Sequence, residues 1–214
     1  MTRSTSRTPR RLLPDVTFHL REKEKDIGEF RWVRRTTKEL FCGKRIVLIG
    51  VPAAFSPVCS DAHLPDYERL HGEITAAGGV DEVWCTSVND AFVMFRWAKS
   101  LGVKKVRMLP DGNGQLASGL GMLVRHENKG YGCRSWRYAA VVDDMRIEAL
   151  FEEPHKMDDS PVDPLTVSGA SQGVLPYLLE KNQGNYDRKN RAQKGGPSRI
   201  KQRSKASKAS KAFA

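Results

Sequence analysis

The chain has 214 residues, with 36 Lys and Arg against 25 Asp and Glu and a formal net charge of +11, long enough for one compact domain with a sizeable core and tails besides. The charge is uneven, +10 in residues 181–214 and +4 in residues 1–11, which leaves −3 for residues 12–180; the body is a near-neutral globule between two basic ends, not a basic nucleic-acid-binding fold. Cys42, Cys59, Cys85 and Cys133 are scattered, with no C-x-x-C pair and no His at zinc-ligand spacing, which argues against a zinc site or a disulfide framework and for a reducing compartment.

The ends and the missing segments narrow the localisation. No apolar h-region opens the sequence, so secretion is not expected, and no run approaches the roughly 18–20 apolar residues of a membrane span. The opening "MTRSTSRTPRR" is rich in Arg, Ser and Thr without an acid, as organelle transit peptides are, but short and without an amphipathic face. The expectation is a cytoplasmic or organellar protein, the mitochondrial matrix included.

In chain order, "RIVLIGV" (45–51) is a short apolar run bounded by a basic pair and Pro52, as expected of a strand buried on both faces. "DAHLPDYERLHGEITAAGG" (61–79) carries helical spacing through Leu64, Tyr67, Leu70 and Ile74 and stops at Gly78-Gly79. "DEVWCTSV" (81–88) predicts a strand, "DAFVMFRWAKSLG" (90–102) a helix, and "VRMLPDGNG" (106–114) a strand running into a turn. "WRYAAVVDDMRIEALFEE" (136–153) predicts two strands joined at Asp143-Asp144, and "SGASQGVLPYLLEKN" (168–182) a closing helix. Strands alternating with helices, then a hairpin, then a helix imply an α/β fold with a mixed central sheet flanked by helices on both faces. That order is the thioredoxin-like one, over residues 12–180. Residues 1–11 form a basic extension. Residues 181–214, with repeated Lys-Ala-Ser triplets, are expected to be a disordered tail, because so few large apolar residues cannot offset chain entropy.

Cys59 is the residue with chemistry to explain. If the helix begins near Ser56, then Ser56 is its N-cap, Pro57 sits at N1 and Cys59 at N3. The sulfur then lies in the first turn, at the positive end of the helix dipole, where a thiolate is stabilised; such surroundings bring cysteine pKa values from ~8.5 to ~3.5–7.5. Cap geometry alone leaves the other reading open, a small buried hydrophobe.

The surrounding residues tip the balance. "VPAAFSPVCSDAHLP" (51–65) resembles the P-x-x-x-(T/S)-x-x-C motif of the peroxiredoxins, and most of all the type II, peroxiredoxin-5-like subfamily. The resemblance continues through "CTSVNDAFVMFRWAKS" (85–100), "LPDGNGQLASGLGMLV" (109–124), "GCRSWRYAAVVDD" (132–144) and "DPLTVSGASQGVLPYL" (163–178), in order over residues 12–180. It implies a thiol-dependent peroxidase acting on hydrogen peroxide and alkyl hydroperoxides, with no bound cofactor or metal. Cys59 then corresponds to the peroxidatic cysteine, Ser56 to the hydroxyl residue, Pro52 to the proline that shields the pocket, and Arg137 to the active-site arginine, with Arg134 its nearest rival. The chemistry suits those types: O–O cleavage needs a thiolate, a hydroxyl to bond the peroxide, and a cation to hold the charge. Ser56 stands where threonine is usual, Ala53 where glycine commonly follows the proline, and Asp66 where glycine follows "HLP".

The resemblance also implies how the oxidised cysteine is recycled. Cys85, at the start of the strand-to-helix stretch "CTSVNDAF", is the candidate resolving cysteine for an intramolecular disulfide; otherwise Cys85 is a core strand cysteine and glutathione or a glutaredoxin resolves Cys59 directly, and in either case glutathione, glutaredoxin or thioredoxin supplies the electrons. Cys42 and Cys133 are expected to be structural or incidental, and no cysteine lies near Ser168, where animal-type relatives carry a distal resolver. His63 is expected to hydrogen-bond locally and not to carry protons. A homodimer is implied. A second class of function stays open, in which the basic tail recruits a peroxiredoxin fold to RNA, for example a ribosome. A thiol-disulfide oxidoreductase is excluded, since position 56 carries no second cysteine.

Overall fold

The structure is a computed structural model and describes residues 11–24 and 29–194. At its centre is a five-stranded mixed sheet in the order β5-β4-β3-β8-β9. Strands β3 (Arg45–Gly50), β4 (Glu82–Ser87) and β5 (Arg107–Pro110) run parallel, and β8 (Tyr138–Asp143) and β9 (Arg146–Glu152) complete the sheet through antiparallel pairings. The parallel pairs are joined through α2 (Leu64–Gly78) and α3 (Ala91–Ser100), because parallel neighbours need a crossover while β8 and β9 need only a turn. This is the expected thioredoxin-like α/β architecture.

The central strands read as unbroken apolar runs because both faces are covered. Val47 and Ile49 of β3 face a cluster with Leu64, Tyr67, Leu70 and Ile74 of α2, Met94 and Trp97 of α3, and Leu175 and Leu178 of the last helix, α5 (Leu175–Lys194). Ile46 and Leu48 alternate to the opposite cluster, with Leu40 and Phe41 of α1 (Thr37–Phe41), Leu116 of α4 (Gln115–Gly119), Trp84 and Trp136. Each fully buried Leu or Ile contributes roughly 1.5–3 kcal/mol.

Several elements differ from expectation. A hairpin of β1 (Thr17–Lys23) and β2 (Phe30–Thr36) precedes the predicted sheet, and a second of β6 (Leu123–His126) and β7 (Gly132–Ser135) precedes Arg137. The β8–β9 turn falls at Asp144-Met145, both at positive φ (45° and 65°), one residue later than Asp143-Asp144, and Asp143 pairs with Arg146. The last helix runs to Lys194 instead of ending at 182. Once a docked helix is nucleated, each added residue fixes one more hydrogen bond at little cost, so polar residues past the core extend it. The expected disorder of the tail can thus apply only beyond that helix; residues 1–10 and 195–214, where most of both basic ends fall, lie outside the described residues.

Two neighbours set the entrance to the site. Gly50 ends β3 opposite Tyr138, and a Cβ at Gly50 would meet Tyr138 Cε1 at 2.0 Å. Only glycine admits that ring, which packs the start of β8, and hence Arg137 just before it, against the end of β3.

Candidate active site

Between β3 and α2 the chain is held in a fixed path. Val51 N–H donates to Thr86 O at 3.0 Å and Ala54 N–H to Asn89 Oδ1 at 3.1 Å, which ties the loop to the end of β4. Phe55 stands at φ 66° with its ring half exposed, a conformation a bulky residue adopts only under constraint. Ala53 is outside that left-handed region, so the missing glycine costs nothing there. Asp66 accepts from Ser171 N–H at 3.0 Å and Ser171 Oγ–H at 2.9 Å; it joins α2 to the start of the last helix, a function glycine could not serve.

The helix start departs from the predicted cap. Pro57 is the N-cap, already at helical φ −56° and ψ −57°, and no side chain caps it. Val58–His63 then winds as a wide π-type turn, in which Leu64 N–H donates to Cys59 O, before α2 continues. Cys59 is therefore the second residue after the cap, not N3. Ser56 does not cap: its Oγ–H donates back to Ala53 O at 3.0 Å while its carbonyl accepts from Ser60 N–H at 2.9 Å. Proline's preset φ starts the winding at 57, and the hydroxyl satisfies its own loop. Cys59 stays in the first turn, at the positive end of the dipole, and is fully buried.

Arg137 meets it from the residue just before β8. Its Nη1 lies 3.4 Å from Cys59 Sγ and 3.1 Å from His63 Nδ1, while Nε and Nη2 donate to Asp163 Oδ1 at 3.2 and 2.5 Å. The guanidinium is fully buried. Burial opposes its charge, and Cys59 and Asp163 outweigh that opposition. Arg134 points elsewhere, donating to Tyr131 O and Val88 O, each at 2.9 Å.

His63 has long-range partners where local bonding was expected. A guanidinium only donates, so Nδ1 of His63 is the acceptor; its Nε2 must carry the proton and donate to Ser168 O at 3.1 Å. Burial, and next the Arg137 charge, bring His63 down to about 3, so the ring is neutral. Tyr67 Oη–H donates to the same Ser168 carbonyl at 2.6 Å.

A pocket of about 150 Å³ opens beside this group, lined by Pro52, Ser56, Trp136, Asp163, His126 and Lys129 among others. Pro52 is buried and Ser56 half-buried. Cys85 lies inside β4, in the strand expected over 81–88, paired with Ile49 and Met108, fully buried and in the same core cluster as Cys59. Burial, and next the Cys59 charge, push its thiol well above the ordinary range. Cys42 and Cys133 are exposed, and all four cysteines are free.

Of the residues expected at the site, Cys59 and Arg137 are in contact, Pro52 and Ser56 line the pocket beside them, and Cys85 lies inside the sheet. Asp163 and the Ser168 carbonyl join them without having been expected from the sequence. "DPLTVSG" begins at Asp163 within the matched segment, but no local pattern marks a carboxylate whose partner lies 26 residues upstream.

Comparison with known proteins bears on the family and fold. A family model described as Redoxin matches residues 33–165. A Synechocystis protein, Peroxiredoxin sll1621, is 48% identical over 174 residues, covering 80% of this chain and 90% of that protein. Among solved structures, the Plasmodium falciparum antioxidant protein, a 1-Cys peroxiredoxin, aligns with TM-score 0.75 at 28% identity, covering 81% of this chain and 99% of that one. Reduced Prx3 from Vibrio vulnificus in complex with hydrogen peroxide aligns with TM-score 0.69 at 34% identity, over 81% and 97%.

Proposed function

The chain belongs to the peroxiredoxins, on the type II, peroxiredoxin-5-like side of the thioredoxin-like superfamily, and is a thiol peroxidase; from that premise we propose that Cys59 is its peroxidatic cysteine, with Arg137, Ser56 and Pro52 completing the site. The Cys59 thiolate attacks one peroxide oxygen, the O–O bond breaks, and the departing alkoxide or hydroxide takes a proton to leave as alcohol or water. Cys59 is left as the sulfenic acid. Arg137 holds charge on sulfur before attack and on the departing oxygen during it. The Ser56 hydroxyl turns from Ala53 O to bond the peroxide, and Pro52 keeps bulk water from the sulfur. The observation that carries this reading is the 3.4 Å approach of a fully buried Arg137 to Cys59 Sγ.

Hydrogen peroxide and alkyl hydroperoxides are the substrates, and thiols close the cycle: one condenses with the sulfenic acid to a disulfide and water, and, where that thiol belongs to the protein, two more reduce the disulfide, leaving as a disulfide themselves and returning both protein sulfurs as thiols. Cys85 is the first of these thiols, and glutathione, glutaredoxin or thioredoxin supplies the rest. The protein needs no prosthetic group for this chemistry. Four free cysteines suit a reducing, intracellular compartment, and no described helix is long and apolar enough to cross a membrane. A homodimer is favoured by the half-exposed aromatic pairs Phe30–Phe95 and Trp32–Phe92 at the outer side of α3, a helix whose Trp97 Nε1–H donates to Ser60 Oγ beside Cys59; sedimentation velocity tests it.

The test of the site is Cys59→Ser, which changes volume little. Peroxide consumption coupled to a thiol reductant should fall to background while the thermal midpoint stays within a few degrees. Turnover within tenfold of the native rate would overturn the assignment.

A further inference from the structure

Glu153, just past β9, is a buried carboxylate with 1% exposure that pairs with no cation among the described residues. Its Oε1 accepts from Val167 N–H at 2.9 Å, Ser168 N–H at 2.7 Å and Ser168 Oγ–H at 2.8 Å. Its Oε2 accepts from Thr166 Oγ1–H at 2.7 Å, and Thr166 N–H lies 2.9 Å from both oxygens. Burial alone would raise this carboxyl, and the donors from Thr166, Ser168 and Val167 outweigh it and hold Glu153 at about 2. Its backbone reaches the other side of the site: Glu153 N–H donates to Arg137 O at 3.2 Å, and its carbonyl accepts from Trp136 Nε1–H at 2.8 Å.

The consequence runs through Ser168. With the N–H and hydroxyl of Ser168 both committed to Glu153, its carbonyl is left facing α2, where it accepts from His63 Nε2–H and Tyr67 Oη–H. A neutral imidazole that donates from Nε2 presents a lone pair at Nδ1, and that lone pair receives Arg137 Nη1, the atom that faces Cys59 Sγ. With the other tautomer, Nδ1–H would meet an N–H donor of Arg137 and push the guanidinium away.

We propose that Glu153 is a positioning residue for the peroxide reaction: by fixing the Ser168 carbonyl it selects the Nε2–H tautomer of His63, and through His63 it aims Arg137 at Cys59. This rests on the reading of Cys59 and Arg137 as reacting pair, and it deepens that reading by assigning the peroxide step a buried acid that never meets substrate.

The test uses the full chain with ¹⁵N-labelled histidine and two rate measurements, reaction of Cys59 with hydrogen peroxide and its alkylation by iodoacetamide at pH 7. In the native protein the His63 ring, assigned by its loss in His63→Leu, shows a protonated Nε2 and an unprotonated Nδ1. Glu153→Gln puts an amide N–H₂ among donors; both rates should fall about tenfold and His63 should show mixed tautomers. In the His63→Leu background the same change should cost less than twofold, since the route from Glu153 to Arg137 is already cut. Additive losses in the two backgrounds, or an unchanged His63 ring pattern in a slowed variant, would overturn the proposal. Should Glu153→Gln fail to fold, Thr166→Val removes one donor and keeps the carboxylate; it should shift both rates two- to threefold in the same direction, again only when His63 is present. The ring tautomer is read without peroxide, so failure of the peroxidase assignment and failure of the positioning role give different results.

Discussion

His63 Nδ1 accepts a hydrogen bond from Arg137 Nη1 at 3.1 Å, and that contact decides what the imidazole can be. A protonated ring has no acceptor to offer and would place two cations in contact inside the core. The neutral form is therefore built into the fold, and stability must answer to pH. His63 titrates at about 3 in the folded protein against 6.5 without burial. Between those values the unfolded chain binds the extra proton, so stability rises with pH across the window and is lost as pH falls from 6.5 toward 3. By this linkage His63 contributes a loss of about 2 kcal/mol between pH 7.5 and 5. Glu153, held at about 2 against 4.5, keeps its contribution until pH falls below 4.5, outside that interval. His126 is also lowered by burial but is present in both proteins to be compared. Urea midpoints at pH 7.5 and 5 should thus converge in His63→Leu by about that amount relative to the native chain; equal pH sensitivity would mean that His63 is already charged.

How much of this was legible beforehand depends on which physics each residue obeys. "RIVLIG" and "VWCTS" declare buried strands because both faces of the sheet are covered, and composition alone carries that. β1 reads TFHLREK and β2 FRWVRRT, and only Phe18 among them is fully buried, so neither alternation nor an apolar run marks the hairpin. The π-type turn at Val58–His63 uses the same residue types as an α-turn; shifting the acceptor by one residue leaves no trace in sequence. Cys59 and Arg137 were legible through family resemblance, but Asp163, Ser168 and Glu153 reach the site through loop geometry after β9, which no periodicity encodes.

The choice between the two arginines separates by kinetics. Arg137→Gln should slow the peroxide step about 100-fold, the scale for losing one charge-stabilising donor, and should slow iodoacetamide alkylation of Cys59 at pH 7. Arg134→Gln removes hydrogen bonds to Tyr131 O and Val88 O and the contact with the Tyr131 ring, all away from Cys59, and should change either rate less than threefold. Stopped-flow tryptophan fluorescence with hydrogen peroxide measures the first and mass-resolved labelling the second; similar losses for the two variants would break the link between Cys59 and Arg137.

Ser56 distinguishes a chemical hydroxyl from a structural one. Among the described residues its Oγ–H bonds only to Ala53 O, so Ser56→Ala should cost no more than about 1 kcal/mol of stability. The peroxide step should nevertheless slow at least tenfold, and Ser56→Thr, which restores a hydroxyl, should return to within threefold of the native rate. A silent Ser56→Ala would reduce the residue to a loop contact.

The last prediction concerns the second thiol. Cys85 and Cys59 share one core cluster on the same face of the sheet, yet Cys85 lies inside β4, paired on both sides and held protonated by burial. A disulfide between them needs Cα atoms within ~7 Å and aligned Cβ vectors, and unwinding of the turn at Val58–His63 would free Cys59 to meet that geometry. The wide turn suits that opening, since π-type turns occur as short inserts in helices and frequently at functional sites. One equivalent of peroxide should then give an intramolecular Cys59–Cys85 disulfide, found by mass spectrometry of a non-reduced digest, and Cys85→Ser should leave Cys59 as sulfenic acid without slowing its formation. If the native chain itself accumulates only sulfenic acid, or a glutathione adduct on Cys59 when glutathione is present, then Cys85 is a core residue and the enzyme works with one cysteine.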